Sequence, residues 1–427
     1  MSNNRGRKIV IIGLDGVPFD LLTSYMEQGI MPRMKEIASA GSLVPMRSTL
    51  PEVSSVAWAS FMTGRLPAEH SIFGFMEIDK SSYQYTFPNF LSIKSPMFWE
   101  SLDASCVAFN IPQTYPARPL KGVLVSGFVS IDLAKAVYPR RVYDYLKETG
   151  YRLDVNSQLA VKDPEAFFED LFLTLQKRAE AMRYLYDAEE WEIFIGTITE
   201  TDRLHHFFFD CALDGKWNGV FADFYRRLDG LLFEMFTRAQ KDGAVFMTCS
   251  DHGFATIKIE VYVNRYLAEK GYLDTEGSAD LSGIKNNSAA FCLDPSRVYI
   301  HSKDKYARGG VDDKDYERVR NEIKGLFSEL TFSGRKVVKK VFLKEEIFSG
   351  PFGPDAPDLY ILGEPGFDLK ASMKKTEVFG LSSFRGAHTY EGAHFYVSGG
   401  LRPAPGLSID QIAKLVREVY HSKKQHV

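Results

Sequence analysis

Apolar residues gather in this chain as short continuous runs separated by longer stretches of helical character. Residues 8–14, Lys-Ile-Val-Ile-Ile-Gly-Leu, form a nearly unbroken apolar run, the pattern of a strand buried on both faces. Further runs of this kind are Cys106-Val-Ala-Phe, Val123-Leu-Val-Ser, Glu192-Ile-Phe-Ile-Gly, Ala244-Val-Phe-Met-Thr and His394-Phe-Tyr-Val. Residues 19–28, 33–40, 139–148, 164–187 and 220–240 read as the helices between them, and a last helix over 408–421 opens on Ser408 as its N-cap. Strands alternating with helices predict an α/β protein with a doubly wound, largely parallel sheet.

Residues 260–385 break that rhythm. They hold Arg297-Val-Tyr-Ile-His, Lys336-Val-Val-Lys-Lys-Val-Phe and Asp358-Leu-Tyr-Ile-Leu, with one clear helix at 315–328. The expectation is a smaller α+β cap over 260–385, inserted into a core made of 1–259 and 386–427, with Gly350-Pro-Phe-Gly-Pro as a hinge or lip. A length of 427 residues suits that division, because single cores stop growing well below it.

Composition narrows the partners. Net charge is -3, from 52 basic and 55 acidic residues, so no strong field draws the chain to a nucleic-acid polymer or an anionic membrane. The four cysteines, Cys106, Cys211, Cys249 and Cys292, lie far apart and suggest neither a disulfide framework nor a cysteine-rich zinc site. The first strand starts at Lys8, too early for a signal segment, and no run approaches the ~18 apolar residues of a membrane span. The expected location is cytoplasmic.

Six potential metal ligands sit on four scattered motifs: Asp15 in Ile-Gly-Leu-Asp-Gly, Asp202 and His206 in Thr-Asp-Arg-Leu-His-His, Asp251 and His252 in Ser-Asp-His-Gly, and His388 in Arg-Gly-Ala-His. Each follows or adjoins a strand-like run, and in an open α/β sheet ligands bind at the carboxyl ends of the strands. One sheet can therefore gather three Asp and three His into a dinuclear site. Each motif alone has a plainer reading. Asp15 fits an Asx turn or helix cap. Asp202 and His206, four apart on one helix face, fit a surface pair, although Phe207-Phe-Phe argues that this helix is buried, where an unpaired Asp is costly. Neighbouring His205 points about 100° away and reads as structural. Asp251 and His252 are adjacent and need a turn to aim together, which Gly253 permits.

A hydroxyl completes the picture. Ser54 or Ser55, ahead of the apolar stretch Val-Ala-Trp-Ala-Ser-Phe-Met, fits a simple N-cap. The same place also suits a phosphoryl oxygen, because helix N-termini favour anions, and a metal can activate such a hydroxyl as a nucleophile. Leu14-Asp15-Gly16-Val17 is similar to the first motif of the haloacid dehalogenases, but the position of that family's nucleophilic acid is Gly13 here.

Taken together, the motifs resemble the alkaline phosphatase superfamily, most closely its type I phosphodiesterase/nucleotide pyrophosphatase branch. The likeness covers residues 8–260 and 380–400. It rests on their order: Asp-Gly after the first strand, the hydroxyl before Thr63-Gly64-x-x-Pro67-x-x-His70, then Asp-x-x-x-His, Asp-His-Gly and a late Gly-x-His. It implies an α/β/α sandwich, with Asp15, Ser54, Asp251 and His252 on one metal and Asp202, His206 and His388 on the other. The metals implied are zinc first and manganese second, and the nucleophile is Ser54. The expected activity is hydrolysis of a small-molecule phosphoester through a phosphoseryl intermediate. Phosphomonoesterase, phosphonate hydrolase and phosphotransferase are alternatives on the same site, and a metal-stabilised binding protein is the non-enzyme alternative. Two positions depart from the branch's pattern: Ser54 replaces its usual Thr, and Ala57 stands where it carries a phosphate-binding Asn. The cap is expected to select the leaving group, and Trp58, Phe73 and Phe75 either stack on it or pack the core.

Overall fold

The structure is a computed structural model that describes residues 6–422. The chain divides into two compact units: Met1–Arg65, Asn89–Phe254 and Phe384–Val427 form the first, and Leu66–Pro88 with Ala255–Ser383 form the second.

The first unit is built on an eight-stranded sheet. Its order is Gly41–Met46, Ala393–Ser398, Val245–Cys249, Ile9–Leu14, Ile193–Ile198, Cys106–Ile111, Gly122–Ser126 and Val137–Tyr138. The five strands from Val245–Cys249 to Gly122–Ser126 run parallel. Ala393–Ser398 and Val137–Tyr138 are antiparallel to them, and the edge strand Gly41–Met46, antiparallel to Ala393–Ser398, runs in their direction again. Ile9–Leu14, buried at every position, lies mid-sheet between Ile193–Ile198 and Val245–Cys249. Alternate residues of a strand face opposite sides. Val10, Ile12 and Leu14 thus enter a core shared with the helices Phe19–Glu27, Pro32–Ser39, Pro164–Ala188 and Asn218–Lys241. Gly13 faces the other way, toward Trp58 of the helix Ser54–Thr63, and a Cβ there would meet the indole ring at 2.4 Å. The glycine that removes the dehalogenase-type nucleophile is therefore the residue that makes room for this helix.

Two short strands, Gly41–Met46 and Val137–Tyr138, were not expected. Gly41-Ser-Leu-Val-Pro-Met, outside the predicted elements, pairs at the sheet's edge, where a proline costs no ladder bond. The last helix is shorter than its pattern: Ile409–Gln411 is a 3-10 turn, and the α-helix runs Ile412–His421. Ser408 stands at the N-cap of that turn, its backbone N–H donating to Gln411 Oε1 at 3.1 Å and its hydroxyl to Asp410 at 2.7 Å.

The second unit holds the antiparallel sheet Ala290–Leu293, Arg297–Ile300, Leu359–Gly363 and Val338–Leu343, with the helix Asp313–Ser328. It also takes in Leu66–Pro88, outside the expected range 260–385. That segment is tied in by Arg297, fully buried and therefore in need of partners. Its guanidinium donates to Glu77 Oε1 and to the Met76 carbonyl, each at 2.5 Å. All four cysteines are free. Among the described residues, no helix is long and apolar enough to cross a membrane.

Candidate metal centre

Every predicted site residue lies in the first unit. Asp15 follows Ile9–Leu14 directly, and its backbone N–H extends the ladder to the Ile198 carbonyl at 3.0 Å. Asp202 and His206 ride the helix Glu200–Phe208, entered straight from Ile193–Ile198. Asp251 and His252 follow Val245–Cys249. His388 lies on Gly386–Thr389, which pairs with Gly253–Thr256, just before the returning strand Ala393–Ser398. Because that last strand is antiparallel, its start falls at the edge where the parallel strands end.

The side chains converge. Ser54 Oγ lies 3.3 Å from Asp15 Oδ1 and 3.2 Å from His252 Nε2. His252 Nε2 is 3.6 Å from Asp15 Oδ1 and 3.3 Å from Asp251 Oδ2. On the other side, Asp202 Oδ1 is 3.4 Å from His206 Nε2 and 3.2 Å from His388 Nε2. The His252 and His388 rings stack at 3.7 Å between centroids and join the two sets. Asp15, Asp251 and His252 form one group able to hold a metal ion, and Asp202, His252 and His388 another, so His252 faces both.

The histidines share one orientation. Nδ1 of His206 meets the Gly386 carbonyl, that of His252 the Gly253 carbonyl, and that of His388 the Glu52 carbonyl, at 3.0–3.1 Å. A carbonyl only accepts, so each Nδ1 must donate, which leaves Nε2 as the lone-pair atom facing inward. His206 Nε2 and His388 Nε2 are 3.0 Å apart. Two inward lone pairs at that distance repel unless a proton or a cation lies between them. Asp251 Oδ2 is buried with no hydrogen bond. Three buried carboxylates and three imidazoles arranged in this way fit the donor set of divalent zinc or manganese.

The electrostatics point the same way. Burial, reinforced by the charges of Asp251 and Asp202, holds Asp15 well above the usual carboxylate range. Burial also lifts Asp251 to about 7, although the Gly16 N–H bonds its Oδ1 at 3.0 Å. Asp202 goes the opposite way. Burial raises it, but His206, His388 and Arg203 outweigh that and hold it well below the usual range. Burial lowers His252 to about 4, so it stays neutral. Asp15 and Asp251 thus resist their own negative charge, which a cation beside them would relieve.

Several local expectations change. The N-cap of Ser54–Thr63 is Val53, so Ser54 is the first helical residue and its hydroxyl is turned to Asp15 and His252. Gly253 has no left-handed backbone; its role is clearance, since a Cβ would meet the Glu391 carbonyl at 2.4 Å. His205 is structural, as expected, donating from Nδ1 to the Gly16 carbonyl at 2.9 Å and accepting from the Tyr225 hydroxyl at 2.7 Å. Trp58 is in the core and also supports the site, its indole N–H donating to Asp15 Oδ2 at 3.3 Å. The Thr201 hydroxyl, absent from the sequence reading, donates to the Asp15 carbonyl at 2.6 Å. Phe73 packs edge-on against Phe348 within the second unit.

The profile of the type I phosphodiesterase / nucleotide pyrophosphatase family matches residues 9–394. The chain belongs to this family. Membership in the type I phosphodiesterases supports metal-dependent phosphoester hydrolysis. Among solved structures, phosphonoacetate hydrolase from Sinorhizobium meliloti 1021, in complex with phosphonoformate, superposes with a TM-score of 0.65 at 16% identity, over 98% of this chain and 96% of that one. Murine ectonucleotide pyrophosphatase/phosphodiesterase 5 gives 0.57 at 13% identity over the same shares, and the human protein 0.59 at 11%. An inactive form of the murine protein was solved with AMP. At these identities the likeness establishes the alkaline phosphatase-like fold. No curated protein matches the chain by sequence.

Proposed function

We propose that the chain is a two-metal phosphoester hydrolase of the phosphodiesterase/nucleotide pyrophosphatase kind, with Ser54 as its nucleophile. The observation that carries this reading is the placing of the Ser54 hydroxyl. It heads a buried helix within 3.3 Å of both Asp15 and His252. Asp15, Asp251 and His252 would hold one ion together with Ser54, and Asp202, His206 and His388 the other, with zinc first and manganese second by donor type. Bound divalent ions would make the hydroxyl and a water nucleophilic near neutral pH and screen the phosphoryl oxygens. Ser54 Oγ attacks phosphorus, the bond to the leaving oxygen breaks, and a phosphoseryl group forms. Water then attacks phosphorus from the vacated side and restores the hydroxyl. The positive end of the helix Ser54–Thr63 faces the transferred group. The free cysteines suit a reducing, cytoplasmic setting.

One observation favours a second reading, hydrolysis of a phosphonate or phosphomonoester. Ala57 is fully buried and offers no side-chain donor where the family resemblance implies Asn. Bis-p-nitrophenyl phosphate, p-nitrophenyl phosphate and phosphonoacetate, tested on chelator-stripped protein resupplied with zinc or manganese, separate the two readings. Diester preference supports the first, monoester or phosphonate preference the second. Ser54→Ala should keep its metals and lose on the order of 10³-fold or more in turnover. Turnover near wild type in that variant would remove Ser54 as nucleophile.

A further inference from the structure

Arg203 follows Asp202 in the helix Glu200–Phe208, a step of about 100° around the axis, yet its side chain returns to the site. Nη1 lies 3.3 Å from Asp202 Oδ2. The rest of the guanidinium is held from behind. Nε donates to both Asp154 oxygens at 3.1 Å, Nη2 donates to Asp154 Oδ2 at 2.7 Å, and the group lies over the Phe128 ring at 4.0 Å. Only 13% of the Arg203 side chain is exposed. A forked, stacked and largely buried guanidinium is fixed in place in a way an ammonium could not be.

Its position divides the Asp202 carboxylate between two tasks. Oδ2 faces Arg203, while Oδ1 faces His206 and His388. The helix does not depend on Arg203 for its own anchorage. Glu200, in its first turn, makes a fully buried pair with Arg178 at 2.9 Å.

We propose that Arg203, braced by Asp154 and Phe128, is a positioning residue that occupies Asp202 Oδ2 and leaves Oδ1 as the single oxygen offered, with His206 and His388, to a divalent cation. This rests on the two-metal reading given above. Groups that orient a ligand in this way typically change metal affinity by ~10–100-fold when removed. The effect falls on one ion, because neither Asp15 nor Asp251 takes a bond from Arg203 among the described contacts.

The test is a two-site zinc or manganese titration of stripped wild type, Arg203→Met, Arg203→Lys and Asp154→Asn, with melting curves of the metal-free proteins. The expected result for Arg203→Met is one ion bound as in wild type and the other weakened ~10–100-fold. Arg203→Lys should be weakened as much, since it keeps the charge but cannot fork Asp154 while reaching Asp202. Asp154→Asn should move the same ion in the same direction by less, and it serves if an Arg203 variant fails to fold. A merely structural Arg203 would lower the melting temperature and leave both affinities alone, which overturns the proposal. Full recovery in Arg203→Lys overturns it as well, since charge without geometry would then suffice. A wild type that binds one ion refutes the two-metal reading separately, and the role of Arg203 is then decided by whether Arg203→Met weakens that ion.

Discussion

Replacing Asp251 with Asn should make the metal-free protein more stable while removing a metal. Asp251 Oδ1 accepts from the Gly16 N–H, and Oδ2 is buried without a hydrogen bond, 3.3 Å from His252 Nε2. Asn keeps the first contact and replaces the orphan oxygen with an N–H aimed at the His252 lone pair. The magnitude follows from the carboxyl's raised pKa. The folded protein holds this proton up to about pH 7, whereas the unfolded chain releases it near 3.8. Between those values the folded state binds more protons, so wild-type stability falls as pH rises. Three pKa units correspond to about 4 kcal/mol once the pH is above 7, and to about 2 kcal/mol at pH 5. His252 works in the opposite sense below its ordinary 6.5, since burial keeps it neutral down to about 4, but it does so in both proteins and largely cancels in the difference. The assay is denaturant unfolding of chelated wild type and Asp251→Asn at pH 5 and pH 8, repeated with zinc or manganese. The variant should be the more stable metal-free protein, by a margin that widens with pH, and added metal should reverse the order. A metal-free variant less stable than wild type at pH 8, or a margin independent of pH, would refute the reasoning.

Two further substitutions probe the frame around the site. Gly13→Ala puts a Cβ 2.4 Å from the Trp58 ring and should cost at least the 1–3 kcal/mol typical of overpacking, roughly, read as a lower unfolding midpoint; an unchanged midpoint would mean that the helix Ser54–Thr63 is free to retreat. Trp58→Phe keeps most of the ring but removes the donor to Asp15, a loss of about 1.5–3 kcal/mol for a hydrogen bond to a charged group. It should show as weaker binding of the ion beside Ser54, and equal metal affinity in the two proteins would assign Trp58 to packing alone.

What the sequence discloses is what chain-local pattern encodes. Asp15, Asp202 and Asp251 could be placed because each ends or closely follows a buried strand, and the strand is visible as an apolar run. His388 was placed less directly, through the order of the other motifs and the run that begins at His394, since its own strand, Gly386–Thr389, is four residues long and has no apolar run. Gly41–Met46 escaped because Gly and Pro at a sheet edge look like loop residues. The bracing contacts were out of reach for another reason. Asp154 is 49 residues from Arg203, and Glu77 is 220 from Arg297, so nothing in the spacing links them. Ser54 is a mixed case: its helix was expected, but its turn toward Asp15 depends on Val53 standing at the cap.

The pairing of Ala393–Ser398 with Val245–Cys249 also bears on how the protein is made. Asp15 is translated early and His388 more than 370 residues later. During synthesis the central strands can assemble while the group of Asp202, His206 and His388 still lacks a ligand. The six side chains are gathered only once Gly386–Thr389 and the antiparallel strand have docked. On the two-metal reading, the ligand set of one ion is therefore finished only after nearly the whole chain has been made.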